Sequence, residues 1–383
     1  MAGEMIEQRH AIAQSPDSLS LLLTGDIVLD VEDADHWLSG IAPALRSADL
    51  AIGHLEVPHT RRGSELQADV PAPGADPVNL DALARAGIGA VSLAGNHIAD
   101  CGAEGIADTI DTLDRLGIAH AGAGANLQAA GRAANLERRG RRISLLSYNC
   151  VGPEAAWADA QRAGCNYLRM QAADERPVTP NTSLVAPTAE ALTRLREDIA
   201  AAREADLVIV ALHKGIVHTP AVLAPYERPL AEAALDAGAD IVVGHHAHIL
   251  RGLEHRKGRA LFHGLGNGCV VTRALSPAQD HPARAAWASK RRELFGFEPD
   301  PRYELAPFHP EAVHAALGVV RLEADGRLRM GVIPVHVEPP GRPVCVADAR
   351  AADVIAYFDR IGRMAGLPAL QWRRESQWLW MCT

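Results

Sequence analysis

The chain has 383 residues, 48% of them hydrophobic and 22% charged, with a formal net charge of −9 at pH 7. This is a globular composition long enough for a large core, and its acidic balance, without basic runs interleaved with aromatics, excludes a dedicated nucleic-acid surface. The six cysteines are scattered without paired spacing, which reads as reduced thiols in a cytoplasmic protein rather than a disulfide framework.

Residues 1–17 place Glu4, Glu7, Gln8 and Arg9 ahead of any apolar run, so they read as an N-terminal tail with no secretory signal. No stretch approaches the roughly 18 apolar residues of a membrane helix, and no membrane partner is expected. Strands are then predicted at Leu19–Thr24, Leu50–Ile52, Ala90–Leu93, Ile143–Tyr148, Leu207–Leu212, Ile241–Val243, Ala260–His263, Leu317–Leu322 and Gly331–Val337. Between them, Glu104–Leu116 repeats Ile106, Ile110 and Leu113 at helical steps and stops at Gly117. Thr188–Glu204 and Glu227–Ala237 are likewise amphipathic. Strand–helix alternation followed by strands alone implies an α/β layered domain with a β-rich addition.

Three stretches break the rhythm: Pro58–Pro77, Gly152–Pro187 and Thr272–Pro310. Loops of this length inside a compact domain are usually functional or disordered. The third holds Trp287, Phe295, Phe297 and Pro307-Phe308-His309-Pro310, and it reads as an aromatic-rich lid packed near a site. The tail Leu367–Thr383, with Trp372, Trp378 and Trp380, is too apolar to stay loose. It is expected to dock on the body or, in a homo-oligomer, on a second copy of the chain.

Five polar blocks follow the apolar runs in order: Gly25-Asp26, His54-Leu55-Glu56, Gly95-Asn96-His97, His213, and Gly244-His245-His246-Ala247-His248. Each is expected at a strand's carboxyl end, where open α/β sheets place their ligand sites. Carboxylate, amide oxygen and imidazole together suit Mn, Fe or Zn. Taken singly the blocks are ambiguous. Asp26 could cap a turn, Glu56 could face solvent, and His213 could be structural. His97 with Asp100 makes an acid–base pair or a turn-stabilising hydrogen bond. Alternation along an extended segment puts His246 and His248 on one side and His245 on the other. The glycine turn around Asn267 could offer backbone amides to an anion.

These blocks resemble the CapA family of poly-γ-glutamate capsule proteins, within the calcineurin-like metallophosphoesterase superfamily. The resemblance runs from residue 18 to about 340 and leaves 341–383 as a C-terminal extension. It implies a four-layer αββα sandwich. It also implies one or two divalent ions held by Asp26, Glu56, Asn96, His213, His246 and His248, with His97 as general acid oriented by Asp100. The family's Asn-Leu-Glu reads His54-Leu55-Glu56 here, and Val28 stands where ordinary metallophosphoesterases carry a histidine ligand. The expected function is a metal-dependent hydrolase of a small-molecule or peptide substrate, either a phosphoester or a γ-glutamyl or peptide amide. Two alternatives stand beside it. One is a metal-independent epimerase-like isomerase using Asp26 and His309 as opposed acid–base groups, and the other is a binding protein on the same fold.

Overall fold

The computed structural model describes residues 18–66, 74–174, 176–180, 182–276 and 279–382. The expected tail at 1–17, the middle of the Pro58–Pro77 loop and Thr383 lie outside the described residues. The chain is a mixed α/β fold built on two sheets. The first contains β1 (Leu19–Asp30), β2 (Leu50–Leu55), β3 (Ile88–Ser92) and β4 (Ala119–Ala121), side by side and parallel. The second contains β5 (Ala134–Arg138), β6 (Arg141–Asn149), β7 (Leu207–His213), β8 (Ile241–His245), β9 (Leu253–Arg256) and β10 (Arg259–Phe262). Within it β6, β7, β8 and β10 are parallel. The first sheet is completed by β11 (Asn267–Thr272), parallel to β1, and by β12 (His314–Leu322) and β13 (Leu328–Glu338), which run antiparallel.

Side chains alternate across each strand, and the burial follows that alternation. Leu19, Leu21 and Leu23 of β1 share an apolar cluster with Ile143 and Leu145 of β6, Leu207 and Ile209 of β7, and Ile241 and Val243 of β8. Leu22, Leu146, Val208, Val210 and Val242 point the other way and pack with the flanking helices. The result is two sheets face to face with helices outside: α1 (Leu80–Ala86) and α2 (Gly102–Leu116) over the first, α3 (Ala189–Ala202) and α4 (Glu227–Ala237) over the second. Helix α4 keeps its predicted bounds because Gly238, at φ 117°, closes it.

Most strands extend past the apolar runs that announced them. In β1 the extension matters, because the strand runs on to Asp30 by pairing with β11. Asp26 therefore lies inside a strand, not at its end. A β-bulge between Leu23 and Asp26 in the β2 pairing marks the place. Gly25 sits in this bulge because any Cβ there would overlap the Gly266 carbonyl oxygen, to which the Asp26 N–H donates at 3.2 Å.

The C-terminal extension folds onto the body. Helix α5 (Ala349–Met364) sends Val354, Phe358 and Ile361 into the inter-sheet cluster. A hairpin of β14 (Trp372–Glu375) and β15 (Trp378–Met381) pairs with β13 through Gly331 and Val332. Trp378 and Trp380 are buried in the chain's own fold.

Candidate metal centre

The polar blocks meet where the parallel strands of both sheets end. Glu56 directly follows β2, Asn96 and His97 follow β3, His213 ends β7, and His245 ends β8. Asp26, Glu56, Asn96 and His213 are all at most 4% exposed. Donor atoms of Asp26, Glu56 and His248 lie within 4.8 Å of one another, as do those of Asp26, His54 and His213. Asp26 thus belongs to two overlapping clusters.

The contacts inside the cleft are short. His213 Nε2 lies 2.7 Å from Asn96 Oδ1 and 3.1 Å from His246 Nδ1, and His248 Nε2 lies 3.2 Å from Glu56 Oε1. Neighbouring ligands on one ion with donor distances near 2.1 Å stand about 3 Å apart, so this spacing is what a first coordination shell requires. His248 donates Nδ1–H to Asn267 Oδ1 at 3.0 Å, which fixes the tautomer and aims Nε2 into the cleft. Both Asp26 carboxylate oxygens accept the His246 backbone N–H, at 3.1 and 3.3 Å.

The histidine-rich turn departs from the expected alternation. His246 (φ 88°) and His248 (φ 52°) are both in the left-handed region, so the strand has ended and a turn aims the two rings. His246 faces His213, whereas His248 faces Glu56 and Asp26. His245 turns inward, with its Nε2 3.2 Å from the Thr24 carbonyl oxygen and its ring stacked 4.6 Å from His54. Gly244 permits this turn because a Cβ there would collide with the His263 carbonyl.

Burial and neighbouring charge push the groups of the cluster in different directions. Burial, then the Glu56 charge, pushes the Asp26 carboxyl up to about 7. Burial also works against the charge on Glu56, but the His248 ring outweighs it and holds that carboxyl low. Burial opposes a proton on His248, yet Glu56 and Asp26 carry it up to about 9. The remaining rings are pushed the other way by burial: His54 and His213 fall well below the ordinary range, His245 to about 4 and His246 to about 3. Neutral imidazoles keep the lone pairs that bind metals. Glu56 Oε2, His54 Nε2 and His213 Nδ1 are buried without a hydrogen-bond partner among the described residues, while Glu56 Oε1 is paired with His248. Buried polar atoms left in this state beside the overlapping donor clusters of Asp26, Glu56, His54, His213 and His248 fit a divalent ion.

Beside the cluster lies a cavity of about 500 Å³ whose lining includes Glu56, Asn96, His97, His246 and His248. His97 Nδ1 is 2.7 Å from Asp100 Oδ2. Trp287, Phe295 and Phe308, from the aromatic-rich segment, contribute to the wall. His309 does not line this cavity. It caps a short 3₁₀ turn, where its Nδ1 accepts the Glu311 N–H at 3.1 Å, and it lines a neighbouring cavity with His336 and Tyr303. Asp26 lines neither of these two cavities, so the Asp26–His309 pair expected for an isomerase does not face across either of them.

Three residues beside the site were not expected from the sequence. His218 is buried against His248, Phe295, Phe297 and Phe308. Asp30 shares the cavity with Val28, and the period of two from Asp26 could have found it. Behind His213, the fully buried Lys214 donates from Nζ to Glu227 Oε2 at 2.7 Å.

Comparison with known proteins places the chain in a family. Residues 2–270 match the family model described as bacterial capsule synthesis protein PGA_cap. The capsule biosynthesis protein CapA of Bacillus anthracis is 26% identical over 287 residues, covering 70% of this chain and 64% of that protein, so this chain spans less than two thirds of its length. The PGA biosynthesis protein CapA of Bacillus subtilis is 27% identical, covering 70% of this chain and 68% of that protein. A probable polyglutamine synthesis accessory protein of Mycobacterium tuberculosis is 30% identical over 250 residues, covering 64% and 62%. Among solved structures, a hypothetical protein from Thermus thermophilus has 20% identity and a TM-score of 0.43, covering 82% of this chain and 99% of that one. The calcineurin-like phosphoesterase YfkN from Bacillus subtilis has 14% identity and a TM-score of 0.36, covering 91% and 98%.

Proposed function

This chain belongs to the PGA_cap family of bacterial capsule synthesis proteins, and from that premise we propose that it is a metal-dependent hydrolase acting on a phosphoester or a γ-glutamyl or peptide amide. The observation that supports this reading best is the pair of overlapping donor clusters sharing Asp26, with Glu56 Oε2 and His54 Nε2 buried and without a hydrogen-bond partner among the described residues. A divalent ion bound there supplies Lewis acidity toward a carbonyl or phosphoryl oxygen and lowers the pKa of water.

The chain's own groups do the rest. Asn96 contributes a neutral oxygen, so the cluster gains a ligand without gaining charge. Asn267 holds the His248 tautomer, and Lys214 with Glu227 anchors the strand end that carries His213. Asp100 accepts from His97 Nδ1, which assigns proton exchange with the leaving group to Nε2 on the cavity side. The aromatic wall limits water around the reacting bond.

The test pairs elemental analysis with turnover on p-nitrophenyl phosphate, bis-p-nitrophenyl phosphate and γ-glutamyl-p-nitroanilide. Hydrolysis of at least one, lost on chelation and restored by Mn²⁺ or Zn²⁺, is the expected result. Turnover indifferent to chelator would overturn the reading.

A further inference from the structure

Arg291 lies beyond the 2–270 segment that matches the family model. It is only 3% exposed, and its Nε and Nη1 groups have no hydrogen-bond partner among the described residues. No carboxylate forms an ion pair with it there. Its guanidinium carbon lies 5.3 Å from the Trp287 ring centroid and 5.6 Å from that of Phe308. Aromatic faces attract a cation but leave its N–H donors unsatisfied. A buried cation in this condition is costly unless an anion completes it.

Its surroundings indicate where that anion would come from. Arg291 lines the same cavity as Glu56, Asn96, His97, His246 and His248. The Phe308 ring that contacts Arg291 lies 4.7 Å from the His248 ring, so one aromatic ring separates the guanidinium from the metal cluster. Asp30, on the same wall, is engaged by the Thr272 hydroxyl at 2.7 Å and by the charges of Arg284 and Arg273.

We propose that Arg291 is a specificity-determining residue that receives an anionic oxygen group, a carboxylate or a phosphate, on a substrate whose reacting bond lies at the metal cluster. The location of the reacting bond rests on the hydrolase reading, whereas anion capture by Arg291 does not. The planar fork of a guanidinium matches two oxygens of either group at once. Burial pushes the Arg291 pKa down to about 10, which still leaves it charged at neutral pH. A ligand that brings its own negative charge removes the penalty of the buried cation, and an uncharged analogue cannot.

The test is titration calorimetry of the full chain in excess chelator, with inorganic phosphate and glutarate as separate probes. Chelation removes the ion as a competing anion site, so the result is independent of whether the protein hydrolyses anything. Wild-type protein is expected to bind at least one probe, and the probe that binds tells phosphate from carboxylate. R291Q should weaken that binding by roughly tenfold or more, the scale of a lost charge-assisted hydrogen bond. R291K, which keeps the charge and loses the fork, should fall between. Melting curves accompany each variant. Wild-type protein that binds neither probe overturns the proposal. So does unchanged affinity in whichever variant keeps the wild-type melting curve.

Discussion

Lys214→Met tests whether the metal-side strand ends are held by charge. Lys214 and Glu227 are 0% and 1% exposed in their side chains and 2.7 Å apart. Glu227 Oε1 also accepts the Ala224 N–H at 2.6 Å, and Lys214 Nζ reaches the His263 carbonyl at 3.3 Å. Methionine keeps the length of the stem but leaves Glu227 buried with Arg251 as the remaining cation that acts on it among the described residues. Removing one partner of a buried pair costs about 3–5 kcal/mol, a large share of the roughly 5–15 kcal/mol that holds a native domain. The double variant Lys214→Met, Glu227→Met removes both charges. It should cost less than the single change, with about 1 kcal/mol remaining for the stranded Ala224 N–H. Urea unfolding of both singles and the double, read as a double-mutant cycle, measures the coupling. The pH dependence has a definite sign. Burial works against the Glu227 charge, but Lys214 and Arg251 outweigh it and hold the carboxyl below its ordinary 4.5. The stabilisation is therefore present above that value and lost as pH falls through the folded one, and Lys214→Met should flatten that loss. A double variant as destabilised as the sum of the singles would refute the reasoning.

Other outcomes are expected. His246→Ala and His248→Ala should each lower metal occupancy sharply by elemental analysis, while His245→Ala, directed at the Thr24 carbonyl, acts more weakly. Adding Mn²⁺ or Zn²⁺ at about a hundred times its dissociation constant should stabilise wild-type protein by about 2.7 kcal/mol against denaturant, and a chelator should remove the gain. Burial pushes His59 down to about 4 from 6.5. Its contribution is then complete above pH 6.5 and falls by about 3 kcal/mol as pH drops to 4, a slope that His59→Leu should abolish in pH-dependent melts. Gly25→Ala should unfold the β1 bulge region and cost several kcal/mol, because the new Cβ meets backbone rather than a side chain that could move.

The meeting of the polar blocks was legible because imidazole, amide and carboxylate groups came after apolar runs, and parallel strands deliver such blocks to one rim. Helix Glu227–Ala237 was legible because its apolar period and its glycine stop are both local. The position of Asp26 inside β1 was not, since the bulge and the extra pairing come from Asn267–Thr272, far along the chain. Alternation failed for His246 and His248 because it assumes an extended backbone, and both residues have positive φ. Arg291 was hidden in Lys290-Arg291-Arg292, which reads as a solvated charge run. Only packing against Trp287 and Phe308 separates it from its neighbours.

The proposed donors are split across the sandwich. Asp26, Glu56 and Asn96 come from the first sheet and its loops, and His213, His246 and His248 from the second. Between the sheets lie leucine, isoleucine and valine side chains, whose attraction is non-directional and tolerates small sliding. Coordination tolerates only about 0.2 Å in each bond. An ion bound by these side chains would therefore be a tie-rod with a tighter length tolerance than the oily joint it spans. Disturbance of that joint far from the cleft, at Ile209 or Leu21, would be felt as weakened metal affinity while the two sheets were still folded.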